Sequence, residues 1–501
     1  MESVIKLSGI RVTYSGIIAF VIGLSNIVTG LMMSLIIIRT LNPQEYGMWG
    51  LISSLFVYSL IINSVVTLWS TREIARGEKS GKTSIVFSEV LSIGGILIYL
   101  IAAYFISPEA NVDQNILFFA ALLIPLTFLH KTLSSISIGW KPEIYSYASI
   151  IIEIIKIPLM LIFLIVFDLG VPGVIIALVI SSTIGSLIQV IKSREQLKEK
   201  INKIRIKKWL KISWVPTYPR ISSILFASDI IIFSVIMGSV EGVAFYTAAL
   251  IVASLVSQSG KISSTVYGKL LQGGETGFLK NNIMQLFYFA IPLATISILY
   301  AKPTLFALNP LYEISVPVVI FLTIRAFFFT LTEIFSSFLN GIEDVDVRKK
   351  STFKDYIKSK LFVLPTLQII QYGIYLLILT IYLVIFKDQT SQIELVIYWS
   401  IIGMTTQIPL SIYLYGLVKR NFKFNLDKFT ISKYIVISIG AFGGSFVLAE
   451  MFLIYKNNIF EFIPNLFVFI LLGMVGYLVL TYVFDSRTQK LVKAIINEVK
   501  K

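Results

Sequence analysis

The stretch Lys192-Ser-Arg-Glu-Gln-Leu-Lys-Glu-Lys-Ile-Asn-Lys-Ile-Arg-Ile-Lys-Lys-Trp-Leu-Lys-Ile-Ser213 carries nine Lys and Arg residues among Leu197, Ile201, Ile204, Ile206 and Leu210. On both sides of it the chain is almost continuously apolar, in blocks broken by short polar turns. Positive loops are retained on the cytoplasmic side of a bilayer, so a basic segment between two apolar blocks reads as a cytoplasmic hinge between two membrane halves. Two readings of the segment itself stay open. It lies as a basic amphipathic helix on anionic headgroups, at about 1 kcal/mol per nearby Lys or Arg, or it is a solvated helical linker.

The surrounding composition fixes the class. Of 501 residues 56% are hydrophobic and 14% charged, and the mean hydropathy is +0.83. A soluble globule of this size needs more polar surface than that. The chain therefore reads as an all-α polytopic membrane protein, helices being preferred to a barrel because the apolar runs are unbroken and lack a period of two. The net charge of +15 follows from loops held inside; no soluble basic domain is visible, so nucleic acid is discarded as a partner. The absence of Cys removes disulfides, thiolate nucleophiles and Cys-ligated metals.

A membrane helix needs about 20 mostly apolar residues. That rule places fourteen spans: 15–38, 46–68, 85–106, 115–138, 146–167, 171–191, 214–237, 242–265, 283–300, 314–340, 361–386, 393–418, 434–455 and 462–484. Most of the 43 Lys and Arg fall at the N-terminus, in turns after even-numbered spans, or in the tail, with Arg39, Lys302, Lys387 and Lys456 in the opposite set. The bias puts both termini on the cytoplasmic side of the plasma membrane. Residues 1–14 are too polar for a secretory signal, so the first span is retained. The expected organisation is an N-terminal lobe 1–191, the linker 192–213, a C-terminal lobe 214–418, extra spans in 434–484 and a tail 485–501, whose last residues, 490–501, read as a surface-lying helix.

The sharpest local sequence is Arg39-Thr-Leu-Asn-Pro43-Gln-Glu45-Tyr46-Gly47-Met-Trp49, a tight outer turn, followed on the inner side by Arg72-Glu-Ile-Ala-Arg76. These motifs, the span count and the basic linker resemble the Wzx-type polysaccharide-biosynthesis flippases of the multidrug/oligosaccharidyl-lipid/polysaccharide exporter superfamily. An offset of about 197 residues sets Gln44 on Glu241, Gly47 on Ala244 and Trp49 on Tyr246, a faint internal repeat of six spans. Both copies begin inside, so the two six-helix lobes would be related by a pseudo-twofold along the membrane normal, with two further C-terminal helices. The resemblance also implies a functional Asp in the seventh span at Asp229, and a lipid tail cradled by the last two spans.

Ionisable residues at membrane depth mark substrate or ion paths, because each costs several kcal/mol unless paired or wetted. The candidates are Glu153 and Lys156, Arg220 and Asp229, Arg325 and Glu333, with His130 and Lys131 near the inner end of span four. Glu153 and Lys156 are spaced to pair with each other. Arg220 and Asp229 turn to opposite helix faces, and Pro216 and Pro219 break the helix just before Arg220. Arg325 either meets a substrate phosphate or pairs with a distant acid such as Asp229. Asn26, Thr29, Asn63, Thr67, Ser254, Ser257 and Gln258 read as interhelical hydrogen-bonding groups, of which Asn26 and Asn63 are kept as substrate candidates. Arg39 snorkels to outer headgroups or meets substrate.

A single His, no metal-spaced carboxylate cluster and no phosphate loop leave no enzyme constellation and call for no cofactor; Gly273-Gly274 lacks the Lys-Ser/Thr of a P-loop and reads as a turn. The resemblance implies a flippase moving a polyprenyl- or dolichyl-phosphate-linked sugar or oligosaccharide outward by rocking of the lobes about the linker. Arg220, Arg325, Arg39, Lys156, Asn26 and Asn63 would meet substrate, and Asp229 or Glu333 a coupling Na+ or H+. The alternatives are a cation-coupled drug or metabolite exporter of the same superfamily, which favours an acidic lining, and a membrane glycan polymerase or ligase, which needs a large outer loop.

Overall fold

The computed structural model describes residues 29–263, 278–343, 345, 353–422 and 426–489. Asn26, the turn around Gly273 and the tail helix 490–501 lie outside the described residues. Among the described residues twelve helices are long and apolar enough to cross a membrane, and a bent pair makes up to thirteen. They correspond to spans two to fourteen; span one is described from Thr29 onward, as the apolar helix Thr29–Thr40 (α1).

Why these helices sit in lipid is visible on Gly81–Glu109 (α4). Apart from Phe87 and Tyr99, its buried stripe is made of small residues, Ser84, Ser88, Ser92, Gly95 and Ala103 among them. Its exposed stripe is large and apolar, with Val90, Ile93, Leu97, Ile101 and Tyr104. A water-soluble helix shows the reverse; in a bilayer the tails solvate the large side chains while small residues allow close helix packing.

The chain divides into two compact units, Met1–Ala244 and Phe245–Lys501. The first holds the turn that opens the Arg39–Trp49 motif. Asn42 and Glu45 form a reciprocal capping box, and Pro43 starts Pro43–Leu60 (α2). Gly47 meets the backbone of Val240 so closely that a Cβ there would overlap the Val240 carbonyl oxygen. Span two is not one rod: α2 and Asn63–Ala75 (α3) meet at 59°. The unit continues through α4, Gln114–Ala120 (α5), Leu123–Trp140 (α6), Pro142–Leu161 (α7) and Gly170–Lys192 (α8).

The linker is not the free, solvated helix that was one of its two expected forms. Lys203–Lys211 (α9) starts on an Asn202 cap and buries Trp209 completely against Val65, Val66 and Phe87. Trp209 Nε1 donates to Glu73 Oε1 at 3.0 Å. Arg205 pairs with Glu73 at 2.9 Å, Glu78 at 2.9 Å and Glu199 at 3.5 Å. An indole and a guanidinium together thus fasten α9 to the first unit.

After Trp214–Thr217 (α10) and a 3-10 turn Tyr218–Arg220, the seventh span continues as Ile221–Met237 (α11). The two prolines break this span where the sequence places the break. Ser54 on α2 donates to the Ala227 carbonyl and Tyr58 meets the Ser228 hydroxyl, so α11 packs on α2 within the first unit. Gly238 ends α11 in the left-handed conformation at φ +59°, where glycine is favoured.

Glu241–Ala253 (α12) runs across the unit boundary. The second unit then holds Phe278–Leu299 (α13), Ala301–Leu308 (α14), Val316–Gly341 (α15), Phe353–Lys358 (α16), Lys360–Phe386 (α17), Gln392–Phe422 (α18), Lys428–Phe452 (α19) and Ile459–Phe484 (α20). α19 packs against α13 and α20, and the shared core includes Tyr288, Tyr434, Phe442 and Tyr477. Tyr300 meets Ser445 at 2.8 Å, and Tyr477 donates to the Tyr288 carbonyl at 2.8 Å. The last two spans are therefore an integral layer of the second unit.

Candidate functional site: a cationic cavity in the first unit

A cavity of about 550 Å³ opens where α3, α6, α7 and the start of the seventh span meet. Asn63, Ser64 and Thr67 come from α3, His130, Lys131, Ser134 and Ser135 from α6, Tyr145 from α7, and Arg220 and Ser223 from the broken seventh span; Val57, Leu60, Ile61 and Ile138 supply apolar wall. Local geometry explains the assembly. The bend between α2 and α3 frees carbonyls, and Ser64 donates back to Ile61 at 2.7 Å. The broken stretch before α11 presents Arg220 at a helix start instead of burying it in a continuous span.

The lining is positively biased. Lys131 and Arg220 are both exposed to the cavity, and neither forms an ion pair or side-chain hydrogen bond among the described residues. The His130 Nδ1 is buried without a hydrogen-bond partner. No carboxylate stands among the described lining residues. Ser134 and Ser135 donate to the carbonyls of His130 and Lys131 at 2.7 and 3.0 Å, which orients both oxygens along one wall. Asn63 donates to the Phe128 carbonyl at 3.2 Å and leaves its own oxygen without a partner. Chemically this is a polar chamber with two cations uncompensated among the described residues, suited to an anion bearing several oxygens.

The other sequence candidates lie elsewhere. Asp229, nine residues after Arg220, is buried, and its Oδ1 accepts from the Ile230 amide at 2.8 Å. It is not among the lining residues of the cavity. Lys156 and Glu153 pair with each other at 2.6 Å, as their spacing requires. Arg39 is half-buried at the end of α1.

In the second unit Arg325 is enclosed in an aromatic box. It donates to the Tyr246 hydroxyl at 2.9 Å, and its guanidinium lies 4.7 Å from the Tyr375 ring centroid. Trp399 donates to the Tyr375 hydroxyl at 2.7 Å and stacks on Tyr246 at 3.8 Å. Gly403 makes the room: a Cβ there would stand 2.7 Å from Arg325 Nη1. Only 5% of Arg325 is exposed, so here it is an internal strut of the unit. Glu333, two turns on, is exposed and accepts from the Gln368 amide at 3.1 Å.

Sequence reasoning singled out Arg220 and Asn63 as substrate candidates and noted His130, Lys131 and Thr67; the structure brings these five together. It passed over Ser134, Ser135 and Tyr145. A signal was present for the two serines, each four residues after a basic residue and so on the same helix face. It also passed over Glu89, a carboxylate inside span three with a buried, unpartnered Oε1.

No family model matches the chain, and no curated protein matches it in sequence. Solved structures do. The lipid II flippase MurJ in an inward closed conformation superposes with a TM-score of 0.64 at 17% identity, covering 94% of this chain and 99% of that one. A multidrug resistance MATE family transporter of the MOP superfamily, in an inward-facing conformation, superposes at 0.56 and 14% identity, covering 79% of this chain and 94% of that one. A MOP superfamily transporter from Pyrococcus furiosus, described as having a binding pocket of reversed polarity, superposes at 0.50 and 14% identity, covering 81% and 94%. The chain is thus a multi-pass membrane protein with the fold of the MOP exporters. That fold is the one implied by the resemblance of its Arg39–Trp49 and Arg72–Arg76 motifs, and the likeness to the MurJ structure extends over almost the whole chain.

Proposed function

We propose that this chain is a flippase that moves a polyprenyl- or dolichyl-phosphate-linked sugar or oligosaccharide across the cytoplasmic membrane by alternating access. The carrying observation is the cavity of the first unit, where Lys131 and Arg220 converge without ion-pair partners and without a carboxylate on the described wall. A phosphate headgroup neutralises both cations, while the serine, threonine and asparagine groups offer hydrogen bonds to sugar hydroxyls.

In this reading both termini are cytoplasmic, and Asp229 or Glu333 meets a coupling Na+ or H+. An exporter of amphiphilic cations is disfavoured by the same lining, since such substrates need acidic walls. The test is leaflet exchange of a lipid-linked oligosaccharide in proteoliposomes. The intact chain accelerates it, and Arg220→Ala and Lys131→Ala each lower the rate at least about tenfold, the loss of one charge-assisted contact. Efflux of a cationic dye against an ion gradient, with no lipid exchange, would reverse the assignment in favour of the exporter.

A further inference from the structure

The fastening of α9 leaves one face of that helix turned outward, and its chemistry is specific. Arg205 and Trp209 hold the inward face, and Arg205 engages all three nearby carboxylates, Glu73, Glu78 and Glu199. Lys203, Lys207 and Lys211 are exposed and form no ion pair among the described residues. Between them stand two apolar side chains that water would reject, Ile204 at 80% exposure and Leu210 at 50%.

Depth in the membrane narrows the partner. α4 has 29 residues, a length of about 43 Å against a hydrocarbon core of about 30 Å. Lys79 and Lys82 flank its start, so its first turns stand at the headgroup edge. Phe87, in the second turn, faces Trp209 with ring centroids 6.3 Å apart, so α9 lies beside those turns, at headgroup depth and not beyond it. A helix held there by an indole, with lysines flanking two aliphatic side chains, meets lipid phosphates with the first and the top of the acyl layer with the second.

We infer that the outward face of α9 is a docking surface for anionic lipid headgroups, held in place before lipid arrives by the Arg205–carboxylate cluster and Trp209. The inference does not rest on the transport reading. It predicts that lipid charge sets the environment of α9.

The chain contains no cysteine, so Ile204→Cys gives a single labelling site in the otherwise intact protein. The labelled protein is placed in nanodiscs of phosphatidylcholine alone or of phosphatidylcholine with phosphatidylglycerol, and an environment-sensitive probe is challenged with an aqueous quencher. We expect several-fold less quenching in the anionic discs. High salt should restore quenching, because the Debye length falls to about 3 Å at 1 M. The combined substitution K203Q/K207Q/K211Q should abolish the difference with little change in thermal midpoint, since these side chains form no ion pair or hydrogen bond among the described residues. Equal quenching in both lipids would overturn the inference. So would protection that is identical in neutral discs and in the triple-glutamine variant, which would mean that protein or uncharged lipid covers the face.

Discussion

Asp427 shows how one side chain at the rim ties two segments. It caps α19, accepting from the Thr430 amide at 3.1 Å and from its hydroxyl at 2.8 Å, and it pairs with Arg487 at 3.0 Å. The Thr430 hydrogen bonds, with the nearby Arg487 and Lys280 charges, hold the carboxyl below the usual aspartate range. A carboxylate with a depressed folded pKa adds stability above its unfolded value, about 3.9, and loses it as pH falls through the folded value. Asp427→Ala should therefore cost about 1 kcal/mol near neutral pH, the usual loss of such a cap, since the exposed ion pair adds little. The difference from the intact chain should shrink below about pH 3. Thermal unfolding in detergent at the two pH values measures it, and a pH-independent difference would contradict the account. Arg325 makes a complementary point. Its charge at membrane depth was legible in the sequence, but its enclosure depends on Tyr246, Tyr375, Trp399 and Gly403, drawn from three other helices.

At the scale of elements, the basic linker is where the fold departs furthest from a linear reading. Its charge pattern reads as a hinge outside the bilayer, yet Trp209 and Arg205 make α9 part of the first unit. Trp209→Ala removes a fully buried indole and should cost about 3–5 kcal/mol. It should also free α9, so that trypsin cleaves within 198–211 much faster than in the intact chain; unchanged cleavage would mean that α9 is held by something else. The bend between α2 and α3 was equally hidden, because the apolar run across 46–68 is continuous and no proline stands in it.

For the whole molecule, the charge bias over fourteen spans makes a definite topological prediction. Single cysteines replacing Lys79, at the inner end of α4, and Asn111 or Asn457, in turns expected outside, should react with a membrane-impermeant maleimide from opposite sides. In right-side-out vesicles the Asn111 and Asn457 positions label and the Lys79 position labels only after permeabilisation. The reverse pattern would invert the orientation.

Membrane helices are legible because each must satisfy its backbone internally and shed polar side chains over about 20 residues, a local demand written in consecutive positions. The class of protein, thirteen of the fourteen expected spans and the break before Arg220 followed from that demand and from proline. The cavity did not. Lys131 and Arg220 are 89 positions apart, and only the packing of α3, α6, α7 and the broken seventh span makes them face one chamber while Asp229 turns into the core. Periodicity tells which residues share a helix face; it does not tell which faces meet, because that depends on how small residues such as Gly139 on α6, which lies against Thr71 and Ile74 of α3, let particular helices close on one another.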